Sequence, residues 1–404
     1  MTRDADEEYA TQHDGNEIVE FGARADRSRQ WLSRLLLACF VIAVVVGLIF
    51  KATNHKSHQQ PQFPLHSSRQ LASPVPVART PATPPTVVNV GHPLLGVTAD
   101  WELFARGPND LVAIQMARGL ISETSVPVLA SSMPEVSFVV GPRQAIVRSP
   151  DNVPGYVIPD GRPAQLITGP LANGGPVIPG PKPDQAWVMS GTSSQPTATL
   201  VSLAGKPTGE TISFNTNYEV PATAEPDGHG YVLVVAKPPN LIYDVGPTFS
   251  HRITAQIIAV GPASFLGLAC RGPQCPYAVI NPVTGSRRVL PSLPSRGVRD
   301  LLSWPPPGVV SPDGSTAAVL ARNKHGQITV QLINMRSGAV TALNVAIDPS
   351  MPYDTQAWSP DSKWLFIAGT YGRLLAWNVR TMQVHDLGVQ LPDITQVAVR
   401  PAGS

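Results

Sequence analysis

The sequence predicts an all-β protein, a seven-bladed β-propeller closed by its own C-terminal strand and preceded by one transmembrane helix and a proline-rich linker. Three observations carry that expectation. A run of 16 uncharged residues, Leu35 to Phe50, stands near the start of the 404-residue chain. Beyond position 93, prolines that end short apolar runs recur about every 43 residues. Charged residues make up only 14 % and proline 43 of 404, roughly twice ordinary proline usage, which excludes a coiled coil or a helical bundle. Thirty basic residues against 28 acidic ones give a net charge of +2 with no long Lys/Arg run, so a nucleic-acid backbone is not an expected partner. Arginine outnumbers lysine 23 to 7, which fits a GC-rich, actinobacterial type of coding bias.

Residues 1–30 begin acidic (Asp4, Asp6, Glu7, Glu8) and turn basic towards position 30. With few large apolar groups, this tail is expected to be a disordered cytoplasmic segment, or alternatively to carry a docking peptide around Ile18 to Phe21. Residues 31–51 form the expected membrane helix: Trp31 to Phe50 gives 20 positions, enough to span a bilayer with an interfacial tryptophan at one end. Arg24, Arg27, Arg29 and Arg34 precede the apolar run, while only Lys51 and Lys56 follow closely, which places the N-terminus in the cytoplasm and the rest of the chain outside. Phe50-Lys51-Ala52-Thr53 offers no small-x-small cleavage site, so an uncleaved anchor is favoured over a signal peptide. Leu36-Leu37-Ala38-Cys39 resembles a lipobox, but the apolar run continues past Cys39. Residues 52–92, rich in Pro, Ser, Gln and Thr, read as an extended extracytoplasmic spacer whose His55, His58 and His66 lack a fixed metal geometry.

Residues 93–404 hold the repeat. Turn prolines recur at Pro142, Pro183, Pro226, Pro262, Pro312, Pro360 and Pro401. A second landmark, the polar or turn residue ending an apolar run, recurs at Gln115, Pro159, Ser202, Asp244, Asn281, Asn334 and Asn378. Both share a period of about 43–44 residues, that of a four-stranded propeller blade. Within the clearest unit, apolar runs beginning at Gln356, Trp364, Leu374 and Gln383 are separated by Gly, Pro, Asp and Asn, giving four strands joined by turns. Trp101, Trp187 and Trp364 are expected to start second strands in one register and to fill the contacts between blades. Asp227, Asp313 and Asp361, in Pro-Asp-Gly or Pro-Asp-Ser turns, are expected to be structural.

Trp358-Ser-Pro-Asp361-Ser-Lys-Trp364-Leu365 and Ser311-Pro-Asp-Gly314 through Ala318 resemble the repeats of TolB-type, WD40-like β-propellers. The resemblance spans about 310 residues, most clearly the last two repeats. The Trp-Asp dipeptide of true WD40 repeats is missing, Trp377-Asn378 being the nearest. The resemblance implies a propeller fold and often an extracytoplasmic address, but no particular activity.

Ile394 to Arg400 reads as an inner strand without the rest of its blade, whereas residues 98–124 read as three outer strands without an inner one. The C-terminal strand is therefore expected to complete the first blade. Cys270 and Cys275, flanking a four-residue turn, are expected to form a disulfide in an oxidising compartment.

No Gly-x-Ser-x-Gly, phosphate-binding loop, His-Glu-x-x-His or Cys-x-x-Cys motif occurs, and neither a catalytic residue, a metal site nor a cofactor is expected. Candidate binding residues are the carboxylates Glu135, Glu219, Asp354 and Asp393, which fall six to eight positions before turn prolines and so near one mouth of the central tunnel. The longest inter-blade connection adds Arg296, Arg299 and Trp304. The expected function is a membrane-tethered protein-interaction or envelope-scaffold module with an envelope or membrane protein as partner. A small ligand in the tunnel, a metal-dependent propeller hydrolase or lactonase, and a sensor signalling through the tail are the alternatives.

Overall fold

The computed structural model describes residues 83–127, 137–148, 155–172, 175–192, 195–215, 217–218, 224–236, 241–253, 256–269, 275–291, 308–347, 354–391 and 393–401. The expected tail, membrane helix and most of the spacer lie outside the described residues, as do Glu135, Glu219, Cys270, Arg296, Arg299 and Trp304. Among the described residues no helix is long and apolar enough to cross a membrane.

Runs of two to eight residues between turn residues fold as strands, and among the described residues every strand pair but one is antiparallel. The first sheet joins β1 (Thr86–Asn89), β2 (Glu102–Arg106), β3 (Asp110–Gln115) and β4 (Leu120–Ser125). The second holds β5 (Ser137–Val140), β6 (Gln144–Arg148), β7 (Tyr156–Pro159) and β8 (Gln165–Leu166). The third holds β9 (Val177–Pro179), β10 (Gln185–Thr192), β11 (Gln195–Ser202) and β12 (Pro207–Ser213). The fourth holds β13 (Glu225–Pro226), β14 (Val232–Ala236), β15 (Leu241–Val245) and β16 (Ser250–Ile253). β17 (Gln256–Val260), β18 (Phe265–Leu268), β19 (Tyr277–Ile280) and β20 (Arg287–Val289) form a fifth unit, and β21 (Gly308–Val310), β22 (Thr316–Arg322), β23 (Ile328–Asn334) and β24 (Val340–Ala346) a sixth. These two merge into one eight-stranded sheet because β17 and β21 pair in parallel. That approach requires a glycine: a Cβ on Gly308 would stand 2.5 Å from the Ile258 carbonyl oxygen. The last sheet holds β25 (Gln356–Trp358), β26 (Trp364–Ala368), β27 (Arg373–Asn378) and β28 (Gln383–Gln390), and β29 (Gln396–Arg400) ends the described chain.

β29 pairs antiparallel with β2, from Glu102 opposite Arg400 to Arg106 opposite Gln396, so the C-terminal strand completes the first sheet as expected. β1 adds a fifth strand to that sheet by pairing with β4. β1 thus lies ahead of the expected boundary at 93, within the stretch read as spacer. The β-branched Thr86-Val87-Val88 run supplies a strand that the surrounding prolines obscure.

Both landmarks mark real features. Each of the seven turn prolines lies at or just past the end of the first strand of a unit, and Asn281, Asn334 and Asn378 close third strands. Each of these asparagines accepts two backbone N–H groups of the following turn through Oδ1 at 2.9–3.1 Å. Asp244 departs from the pattern, being buried inside β15. The tryptophans share burial but not register: Trp364 opposes Asn378, whereas Trp187 opposes Leu200, two positions short of Ser202.

The core is divided among the contacts between units. One cluster joins the last and first units through Trp101, Leu103, Trp364 and Phe366. Further clusters join first to second, second to third, third to fourth, fourth to fifth, fifth to sixth and sixth to last. Every unit thus buries both faces against neighbours, the layered solution that a β-propeller uses.

Candidate functional site

Where β2, β29 and the segment leading into β25 meet, three polar side chains form one chain of hydrogen bonds. The backbone sets their positions: the Val397 N–H donates to the Asp354 carbonyl at 2.7 Å, and the Thr395 N–H and Oγ1 both donate to the Arg106 carbonyl, at 2.8 and 3.1 Å. Arg106 Nε donates to Gln396 Oε1 at 2.6 Å, and Gln396 Nε2 donates to Asp354 Oδ2 at 2.9 Å. The glutamine amide passes the polarity of a buried guanidinium on to a carboxylate.

Arg106 is only 2 % exposed. Burial pushes its pKa down to about 10, partly opposed by Asp354, so it keeps its charge at neutral pH. Asp354 itself reaches solvent, yet protein surrounds it closely enough that its charge is costly. Its pKa is raised by that desolvation, against the lowering effects of the Gln396 hydrogen bond and the Arg106 charge. The Asp354 backbone is left-handed, with φ +54°, a conformation aspartate tolerates better than most residues. Tyr371, in the turn Thr370–Gly372 between β26 and β27, is also left-handed at φ +62° and 83 % exposed. Asp393 is exposed, and its carbonyl lies 3.1 Å from where a Cβ of Gly107 would stand.

Of the four carboxylates read from the sequence, Asp354 therefore lies beside the closing strand and Asp393 just ahead of it. Arg106 and Gln396, the side chains that hold Asp354, are not legible in the sequence because nothing in a strand's alternation distinguishes a buried arginine from an outward one. Cys275 is disulfide-bonded; its expected partner Cys270 lies outside the described residues. Among the described residues no group of three or more His, Cys, Asp and Glu side chains is arranged to hold a metal ion.

No protein-family model and no curated protein matches this sequence. Among solved structures the chain is similar to TolB from Acinetobacter baumannii, at 14 % identity and TM-score 0.41 over 75 % of this chain and 83 % of that one. A functionally unknown protein from Desulfotomaculum acetoxidans is similar at 13 % identity and TM-score 0.46, over 75 % of this chain and 99 % of its own. A dihydro-heme d1 dehydrogenase, NirN, is similar at 10 % identity and TM-score 0.40, over 78 % and 80 %. At these scores the likenesses carry no argument about this chain, whose propeller-like fold rests on its own antiparallel sheets and the apolar clusters between them.

Proposed function

We propose that this chain is a membrane-tethered, extracytoplasmic, seven-bladed β-propeller that acts by binding a protein partner of the cell envelope, not by catalysis. The uncharged run Leu35 to Phe50, with its arginine-rich N-terminal flank, supports the tether and its orientation. The seven inner strands with their turn prolines, and apolar clusters joining successive units, support a seven-bladed ring. The observation that carries the binding site is Asp354, a solvent-reaching carboxylate fixed at the ring's closing seam by the Arg106–Gln396 relay. With Asp393 close to the same seam, that mouth suits a basic segment of a partner.

Crosslinking of the tagged full-length chain in its native membrane, followed by identification of what is captured, tests this reading. Asparagine accepts left-handed backbone readily, so the Asp354→Asn, Asp393→Asn double variant keeps the fold while removing both charges. Loss of one envelope protein from the captured set in that variant is the expected result. Equal capture by both forms would move the interface elsewhere. No captured protein, together with stoichiometric metal in the purified chain, would overturn the binding reading in favour of a metal-dependent hydrolase.

A further inference from the structure

Between the fourth and fifth units the apolar seam is interrupted by carboxyl groups. Asp227, in the turn after β13, is fully buried, and Asp244 on β15 is 2 % exposed. Asp227 Oδ1 accepts the N–H groups of His229 at 2.6 Å and Tyr231 at 2.8 Å. Among the described residues, Asp227 Oδ2, Asp244 Oδ1 and His229 Nε2 are buried without a hydrogen-bond partner. Asp244 lies across from Leu233 on β14 and His251 on β16. Leu233 packs with Ile257, Phe265 and Ile280 of the fifth unit. The His229 ring meets Phe265 edge-on with centroids 6.0 Å apart, and a Cβ on Gly228 would lie 3.0 Å from the Gly261 Cα. Both carboxyls therefore belong to one interface, whose inner strand β13 has only two residues.

Two carboxylates in such a seam cannot both ionise cheaply. Burial, and then the neighbouring Asp227, push Asp244 up to about 8, and burial also raises Asp227 against its backbone hydrogen bonds. The other titratable groups on the packed elements are Glu225 on β13, His229 and Tyr231 in the turn, Tyr243 on β15, and His251 and Arg252 on β16. β17 and β18 carry none, and β19 carries Tyr277, which packs towards the sixth unit.

We propose that the Asp227 and Asp244 pair is a proton-dependent lock on the contact between the fourth and fifth units: a proton taken from solvent holds this seam shut, and as pH rises from acid the seam loosens ahead of the rest of the domain. The sign follows from the closed seam binding a proton that the opened seam releases. The contribution is full in acid, below the ordinary carboxylate range, and declines until pH reaches about 8. Between those limits the opening constant rises by up to about tenfold per pH unit.

Hydrogen exchange of the full chain from about pH 5.5 to about pH 8.5, with each rate divided by its intrinsic rate at that pH, reads this directly. Protection of Val232–Ala236 and Gln256–Val260 is expected to fall with rising pH while Trp364–Ala368 keeps its own; Asp244→Asn is expected to flatten the fall. Should that variant not fold, Asp227→Asn and the proton uptake accompanying wild-type refolding provide the same reading. Equal pH profiles for seam and control strands overturn the proposal, as does a slope that persists in Asp244→Asn. It is equally overturned if the slope vanishes in a His229→Gln, His251→Gln variant, or if the purified chain holds a stoichiometric metal that Asp244→Asn loses.

Discussion

Asp313 and Asp361 each sit behind a Ser-Pro pair, and the serine hydroxyl donates to the carboxylate: Ser311 Oγ to Asp313 at 2.6 Å and Ser359 Oγ to Asp361 at 2.7 Å. Each also accepts the N–H two residues on, from Ser315 at 3.0 Å and Lys363 at 3.2 Å. Despite some desolvation, these bonds lower both pKa values. Asp227 occupies the same kind of turn behind Glu225-Pro226, without the serine and fully buried, and its pKa moves the other way. A lowered carboxylate contributes stability above its unfolded pKa and loses it as pH falls through the folded one, so the last two units are expected to weaken in acid. Asp361→Ala should cost about 1 kcal/mol at neutral pH, with less effect near pH 3; urea titrations at the two pH values check it. The sequence shows these aspartates to be turn formers, and even the missing serine is visible there. That Asp227 faces an interface is not visible, because a turn residue's burial depends on the neighbouring unit.

β29 is held by more than its ladder. Arg400 pairs with Glu102 and donates to both carboxylate oxygens of Asp160, at 3.1 and 2.9 Å, and to the Gly141 carbonyl at 2.8 Å. Its guanidinium carbon stands 4.9 Å from the Phe104 ring centroid. One side chain thus ties the last strand to the first two units. With the Arg400 side chain 8 % and the Glu102 side chain 16 % exposed, removing the cation strands a poorly solvated anion. Arg400→Ala is expected to cost about 3–5 kcal/mol, and an Arg400→Ala, Glu102→Gln double variant to recover part of that, read as shifts in the urea midpoint. Deleting residues 392–404 removes the inner strand of a sheet outright and should leave no folded domain; a truncated chain melting like the full one would refute closure through β29. The pairing was legible because residues 98–124 lack an inner strand and Ile394 to Arg400 lacks partners. The clasp was not, since Glu102, Asp160 and Arg400 are joined only by closure.

Each unit buries apolar side chains on both faces, and successive units share clusters from the first contact round to Trp101 and Trp364. No described unit keeps a core of its own. The repeat period fixes the units and their turns, whereas the Arg106–Gln396–Asp354 relay depends on strands 290 residues apart and only the pairing of β29 with β2 assembles it. Shared clusters also dictate how the domain comes apart: freeing one unit exposes the apolar faces of two neighbours, a loss of tens of Å² per side chain at about 25 cal/mol per Å². Partly opened forms are therefore costly, and unfolding at about pH 6 should be one transition. Tryptophan fluorescence and far-ultraviolet circular dichroism should then give superimposable urea curves. Trp187, whose Nε1 donates to the Gly230 carbonyl across the third seam at 2.7 Å, would report that seam in a chain whose other tryptophans are replaced by Phe. A Trp187 signal that changes well before the loss of sheet would mean that the seams yield singly and that closure by β29 does not make the ring cooperative.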